Sequence, residues 1–205
     1  MTDALARLSG GGIYKPARTR EEIDKQLSRF FRYKLSEEAY EFYQWTGAPN
    51  GRRSHATWKD RYSKKSTYKC ILKKLLGTTY DMVHFLSIEE ANEKYADSSI
   101  YFPFIKYGEE SGILAIIGLE AQQNLSSPVV RLTEEGERMW FPSLTHMMLA
   151  IVEAKETIGT LHPQINYSDE DYGTEEYEEK ISNAWQTLEE IARKYGSPYG
   201  SIILP

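Results

Sequence analysis

Few residues in this chain have the side-chain types and the spacing that catalysis or metal binding requires. No two of the four histidines lie three or four residues apart, the spacing that places two metal ligands on one face of a helix. The single cysteine, Cys70, excludes an internal disulfide and a metal site built from several cysteines. The sequence therefore predicts no metal site and no cofactor. The histidines are His55, His84, His146 and His162.

Nucleophilic and acid–base catalysis also lack a positioned set of residues. Cys70 lies among lysines, with no histidine or acid partner close to it in the sequence, and no G-x-S-x-G motif is present. Glu109 and Glu110 form a carboxylate pair, but the turn formers around them favour a solvated turn. We predict no catalytic residue and a protein that is not an enzyme.

Phosphate-binding and calcium-binding loops are missing as well. Neither G-x-x-x-x-G-K-[ST] nor G-x-G-x-x-G occurs, and the three glycines at 10–12 do not follow a strand. The acidic run at 169–171 lacks the alternating spacing of a calcium loop, which favours a solvated loop instead.

Charge is distributed unevenly along the chain. Residues 1–85 hold 17 Lys and Arg against 9 Asp and Glu, whereas residues 86–205 hold 8 against 21, and the whole chain has a net charge of −5. Aromatic residues are interspersed among the basic residues of 52–74, a composition that can neutralise phosphates and stack on bases. An acidic chain without a recognisable nucleic-acid-binding motif disfavours that function, so a basic surface insertion is the preferred interpretation. Its candidate surface residues are Arg52, Arg53, Lys59, Arg61, Lys64 and Lys65.

Apolar periodicity predicts an antiparallel meander followed by a helix. Three short apolar runs, at 100–105, 113–119 and 129–132, are bounded by turn residues and spaced for hairpins. Pro142 and Ser143 mark a helix start, after which apolar residues recur on one helical face up to residue 158. The predicted fold class is α+β, a mainly antiparallel sheet with flanking helices. The helical face consists of Leu144, Met147, Met148, Ile151 and Val152.

Further helices are indicated by their caps. Thr19 and Glu22 have the spacing of a capping box, Ser36 precedes the acidic first turn of a second helix, and Thr174 precedes a long acidic helix. We predict a loosely ordered segment at 1–18 and one domain at 19–158 with an insertion at about 52–80. Residues 159–205 supply a linker, the acidic helix and an apolar tail packed on the same domain.

No long apolar run is present. The longest uninterrupted runs, at residues 113–117 and 147–152, are far short of the roughly 20 residues of a membrane-spanning helix. Residues 1–12 lack the apolar core of a signal peptide, and the chain has one cysteine. These features predict a cytoplasmic protein without a membrane partner.

In their order along the chain, these segments resemble the SUKH superfamily, which includes the fungal Smi/Knr cell-wall assembly regulators. Residues 35–51 resemble the family's opening helix and Asn-Gly turn, and 85–91 its strand-to-helix step. Residues 101–104, 108–116 and 127–130 resemble its central strands, and 141–151 its closing helix. The resemblance covers about residues 35–158, and Ser36 stands where the family commonly has proline.

Membership would imply a SUKH-like fold and a non-catalytic, protein-binding role. Bacterial members are commonly immunity proteins that bind and neutralise toxin domains, often nucleases, whereas fungal members regulate signalling and the cell wall. We expect an immunity protein with a basic toxin as its partner. A regulatory or scaffold protein is the first alternative, and a nucleic-acid binder through 52–74 is the second; the oligomeric state stays open. The candidate partner-binding residues are Asp169, Glu170, Asp171, Glu175, Glu176, Glu178 and Glu179.

Overall fold

The computed structural model describes residues 1–8, 18–27, 33–46, 83–86, 88, 91, 100–107, 112–117, 126–133, 136–161 and 174–198. Their helices are α1 (Thr2–Leu8), α2 (Arg20–Leu27), α3 (Glu37–Thr46), α4 (Leu144–Leu161) and α5 (Glu175–Lys194). Their strands are β1 (Val83–Phe85), β2 (Tyr101–Tyr107), β3 (Gly112–Ile117), β4 (Val129–Thr133) and β5 (Gly136–Phe141). Helices beside one antiparallel sheet make an α+β fold, which confirms the predicted class.

The five strands form a meander in which each strand pairs antiparallel with the next, in the order β1-β2-β3-β4-β5. The three apolar runs of the sequence correspond to β2, β3 and β4. Pro103 lies inside β2, where the register with β3 shifts between Pro103 and Ile105. Because proline has no backbone N–H to donate, a register irregularity is where a strand tolerates it.

β5 is the strand that apolar periodicity does not predict. It contains the charged residues Glu137 and Arg138, and Met139 is 46% exposed. Gly136, its first residue, pairs with Thr133 of β4 and has a φ of 117°, which lies in the region that favours glycine. An outermost strand of a meander has one edge without a neighbouring strand, and charged side chains are favoured there.

Helix α3 packs against β2 through aromatic rings. Phe42 and Phe104 meet edge to face at 5.9 Å, and Tyr43 and Phe102 do so at 5.6 Å between ring centroids. The Tyr43 hydroxyl donates a hydrogen bond to the carbonyl oxygen of Pro103 at 3.3 Å. These rings fix the position of α3 on the sheet.

Helix α4 follows β5 directly and lies in the centre of the core. Every residue of its predicted apolar face is buried, which confirms the helical period from the sequence. Helix α5 packs on α4. At the end of α5, Gly196 has a φ of 82° and donates its N–H to the carbonyl of Arg193 at 2.9 Å. A Cβ added there would lie 3.0 Å from the ring of Pro142, so the end of α5 and the start of α4 are in close contact.

The first two helices differ in how well the sequence predicts them. The capping box of α2 is present: the N–H of Thr19 donates to Glu22 Oε2 at 2.8 Å, and the N–H of Glu22 donates to Thr19 Oγ1 at 3.2 Å. Residues 1–18 are predicted to be loosely ordered, whereas residues 2–8 form α1 with Ala4 and Leu5 fully buried. Residues 9–17 lie outside the described part of the chain.

Candidate functional site

The central polar feature of the described structure is the carboxylate of Glu38. Ser36 caps α3: its carbonyl accepts the N–H groups of Ala39 and Tyr40, and its hydroxyl accepts the N–H of Ala39 at 3.4 Å. This cap starts the helix so that Glu38, in its first turn, is 4% exposed. A buried carboxylate needs compensating donors, because burial without them is very costly.

Four donors surround the Glu38 carboxylate. Oε1 accepts the backbone N–H groups of Ser127 at 2.7 Å and Leu144 at 2.9 Å. Oε2 accepts the backbone N–H of Thr145 at 2.9 Å and its hydroxyl at 2.6 Å. Leu144 and Thr145 begin α4, whose first N–H groups have no partner within their own helix and whose dipole favours a negative charge there. Glu38 therefore caps a helix to which it does not belong.

Ser143 and His146 supply the local cap of the same helix. The Ser143 hydroxyl accepts the N–H of His146 at 3.1 Å and lies 2.7 Å from His146 Nδ1. A nucleophile and its general base are found at a similar distance in catalytic sites. However, Ser143 is 4% exposed, and the N–H groups of Leu144 and Thr145, which could otherwise stabilise an oxyanion, already bind Glu38. The pair is arranged as a helix cap that also holds the histidine ring.

Glu37, the neighbour of Glu38, has the opposite environment. It forms a two-point ion pair with Arg20 of α2, in which Arg20 Nη1 donates to Glu37 Oε1 at 2.9 Å. The hydrogen bond from Arg20 lowers the pKa of the Glu37 carboxyl. The Arg20 guanidinium also lies 5.0 Å from the ring centroid of Tyr40. This half-exposed cluster ties α2 to α3.

A second polar cluster joins α4 and α5. Glu153 accepts hydrogen bonds from Lys194 Nζ and from the Tyr195 hydroxyl, each at 2.7 Å to Oε2. Lys194 and, to a smaller degree, Tyr195 lower the pKa of the Glu153 carboxyl. These contacts hold the end of α5 against α4, which suits a structural role.

The acidic surface predicted from the sequence lies partly on α5. Glu175 and Glu176 are in its first turn, Glu179 lies one turn on, and all three are exposed; Glu178 belongs to the same helix. Acids at the start of a helix interact favourably with its dipole, which is a structural reason for their position. Their exposure also makes them available to a basic partner. Asp169, Glu170 and Asp171 lie outside the described residues.

The predicted basic surface, Arg52, Arg53, Lys59, Arg61, Lys64 and Lys65, lies outside the described residues. The described sheet contains a basic pair that the sequence does not reveal: Arg131 of β4 and Arg138 of β5 are register partners. The Arg131 guanidinium lies 5.4 Å from the ring centroid of the buried Trp140. The two arginines are neighbours only because residues 136–141 form a strand that pairs with β4.

The described residues offer neither a metal site nor a membrane-spanning helix. They contain no group of three or more His, Cys, Asp or Glu side chains placed to hold a metal ion. None of their helices has the length and apolar character needed to cross a bilayer. No protein-family model, curated protein or solved structure matches the chain. Function must therefore be inferred from the residues and their geometry.

Proposed function

We propose that this chain is a non-catalytic protein-binding module of the SUKH type, an immunity protein that neutralises a toxin domain in the cytoplasm by binding it directly. The observation that carries the proposal is the exposed acidic start of α5, at Glu175, Glu176 and Glu179. A toxin that acts on nucleic acid has a basic surface, and opposite charges accelerate and orient the docking of two proteins.

The fold supports the proposal through its organisation around Glu38. The SUKH resemblance depends in part on residues 35–51, 127–130 and 141–151. The hydrogen bonds of Glu38 join one member of each of these three segments, since Glu38 binds Ser127 and Leu144. The three segments therefore share one structural centre, although a fold alone does not specify a function.

Among the described residues, the polar groups that lie close enough together for catalysis have structural roles, which supports a binding function over catalysis. The Ser143 hydroxyl caps α4, and the Glu38 carboxylate holds its first N–H groups. Catalysis by either group would require breaking bonds that hold the helix in place.

An affinity experiment tests the proposed function. Tagged protein is used to capture partners from a nuclease-treated native lysate, and bound proteins are identified by mass spectrometry. We expect one stoichiometric, basic partner that carries a toxin or nuclease domain. A parallel capture with the triple variant Glu175→Gln, Glu176→Gln and Glu179→Gln should recover less of it at low salt, because the variant associates more slowly.

Other results of the capture would contradict the immunity function. Recovery of kinases or cell-envelope factors would support a regulatory or scaffold role instead. Recovery of nothing, or equal recovery by the triple variant, would remove the acidic start of α5 as the docking site.

A further inference from the structure

Helix α1 is short, and it is covered on one side by two longer helices. It spans seven residues, and it contacts α4 and α3. Ala4 and Leu5 are fully buried, whereas Thr2 and Asp3 are exposed. One apolar side of α1 therefore lies over the seam between α3 and α4.

A helix of this length does not persist in water by itself. Isolated helices shorter than about 12–15 residues are marginal, because the first turn must be formed before its hydrogen bonds accumulate. The N–H of Leu5 donates to the carbonyl of Met1 at 3.1 Å, so α1 has only a few bonds of this kind. Its helical state consequently depends on docking, and folding and docking of α1 are one event.

Two polar contacts hold the two ends of α1 to different helices. At the first end, Thr2 Oγ1 donates to Glu41 Oε2 of α3 at 2.9 Å. At the other end, Arg7 donates to both carboxylate oxygens of Glu156 on α4, at 3.1 and 2.5 Å. The side chains of Arg7 and Glu156 are 36% and 52% exposed, so dissolved salt screens this ion pair.

We propose that α1 is a detachable strap, which opens as one unit while α3, α4 and the sheet stay folded. The Arg7–Glu156 pair acts as its clasp. Local opening of this kind is expected where few buried apolar residues and exposed polar contacts hold an element. The strap makes the exposure of the α3–α4 seam depend on ionic strength, and it gives the domain a conformational change that is independent of the acidic surface on α5.

Amide hydrogen exchange followed by NMR tests the strap in the full chain. The amides of residues 5–8 report on α1, and those of residues 148–158 report on α4. We expect Arg7→Gln to raise the exchange rates of α1 by about two- to fivefold, the range of an exposed ion pair, and to leave those of α4 unchanged. Sodium chloride at about 1 M should give the same increase in the wild type and no further increase in Arg7→Gln.

Two further variants make the assignment specific. Lys194→Gln removes another exposed ion pair to α4, the one with Glu153, and should leave α1 exchange unchanged. Glu156→Gln breaks the clasp but keeps the ion pair between Arg7 and Asp3 within α1, and it should raise α1 exchange as Arg7→Gln does.

The strap would be overturned by three results. In the first, the α1 amides exchange at the α4 rates, so both open only in global unfolding. In the second, the wild-type α1 amides show no protection, so α1 is not docked. In the third, Arg7→Gln and Lys194→Gln change α1 exchange equally, so the clasp has no specific role.

Discussion

The carboxylate of Glu38 on α3 accepts the backbone N–H of Leu144, the first residue of α4, at 2.9 Å across 106 positions of sequence. The same carboxylate holds Ser127, just before β4, and Thr145. One buried side chain thus fixes the relative positions of a helix, the approach to a strand and the start of the central helix. It is the residue on which we expect the fold to depend most.

Replacing Glu38 should therefore destabilise the protein strongly. In Glu38→Gln, one carboxylate oxygen becomes an N–H₂ group, which cannot accept the hydrogen bonds that converge on it. We expect the free energy of unfolding to fall by about 3 kcal/mol, since hydrogen bonds to charged groups contribute about 1.5–3 kcal/mol each. Urea denaturation measures the loss.

Glu37→Gln is the matched control for this prediction. It changes the adjacent residue in the same helical turn but removes only the partly exposed ion pair with Arg20, so a loss below about 1 kcal/mol is expected. Equal losses in the two variants would show that Glu38 does not have the special role assigned to it.

Two buried serines near the start of α4 should respond in opposite ways to alanine. The Ser143 hydroxyl caps α4, and removing a cap costs about 1 kcal/mol. The Ser127 hydroxyl is buried, and the structure gives it no hydrogen-bond partner within the described part of the chain. Ser127→Ala should be neutral or stabilising, because it removes a buried polar group that makes no bond.

Thermal unfolding of Ser143→Ala and Ser127→Ala, compared with the wild type, tests this difference. Ser143→Ala should unfold at the lower temperature. A destabilised Ser127→Ala would contradict the prediction for this serine.

Charge neutralisation on α5 should slow partner association. The triple variant Glu175→Gln, Glu176→Gln and Glu179→Gln raises the net charge by three at the proposed docking surface. We expect about a tenfold lower association rate at low salt and a weaker dependence of that rate on salt, with little change in dissociation, because exposed charges act mainly on encounter. Surface plasmon resonance with the captured partner measures both rates.

The control adds the same net charge elsewhere on the same helix. Ser182, Asn183 and Gln186 are exposed on α5, and changing all three to lysine also raises the net charge by three. If this control slows association as much as the neutralised triple variant, net charge alone explains the effect, and the location of the acids does not.

Alkaline pH should destabilise the protein through Tyr43. Burial raises the pKa of the Tyr43 hydroxyl well above its ordinary value of 10.0. Below pH 10.0, both the folded and the unfolded chain keep the proton of this hydroxyl, so its titration does not change the stability. Above it the unfolded chain releases the proton while the folded chain retains it, so stability falls as pH rises, by up to about 1.4 kcal/mol per pH unit for each such group.

Urea midpoints between pH 8 and 11 compare Tyr43→Phe with the wild type. At pH 8 the variant should lose about 1 kcal/mol, because it lacks the hydrogen bond to Pro103, and its stability should then fall less steeply with pH. Leu188→Ala, a buried residue of α5, serves as a destabilising control without an ionisable group, and its slope should match the wild type. Parallel slopes for all three proteins would contradict the assignment to Tyr43.

Local signals in the sequence were sufficient for much of the fold. The capping box of Thr19 and Glu22 is present in the structure. The apolar period of α4 and the short runs of β2, β3 and β4 match the described elements. Such signals are reliable because they arise between residues a few positions apart, where geometry depends on helix or strand period alone.

Strand β5 and helix α1 were decided by their neighbours. β5 carries charged residues and takes its strand form from pairing with β4. α1 has too few residues to be helical without α3 and α4 beside it. Neither element has enough local preference to be predicted, because the contacts that stabilise it come from distant parts of the chain.

The role of Glu38 shows the same division at the level of one side chain. The sequence by itself determined that an acid stands in the first turn of a helix capped by Ser36. There its negative charge interacts favourably with the dipole of its own helix. Only the tertiary structure decided that this carboxylate faces inward and caps α4 instead. Sequence spacing specifies on which side of a helix a residue lies, whereas its long-range partner depends on how α3, the sheet and α4 pack together.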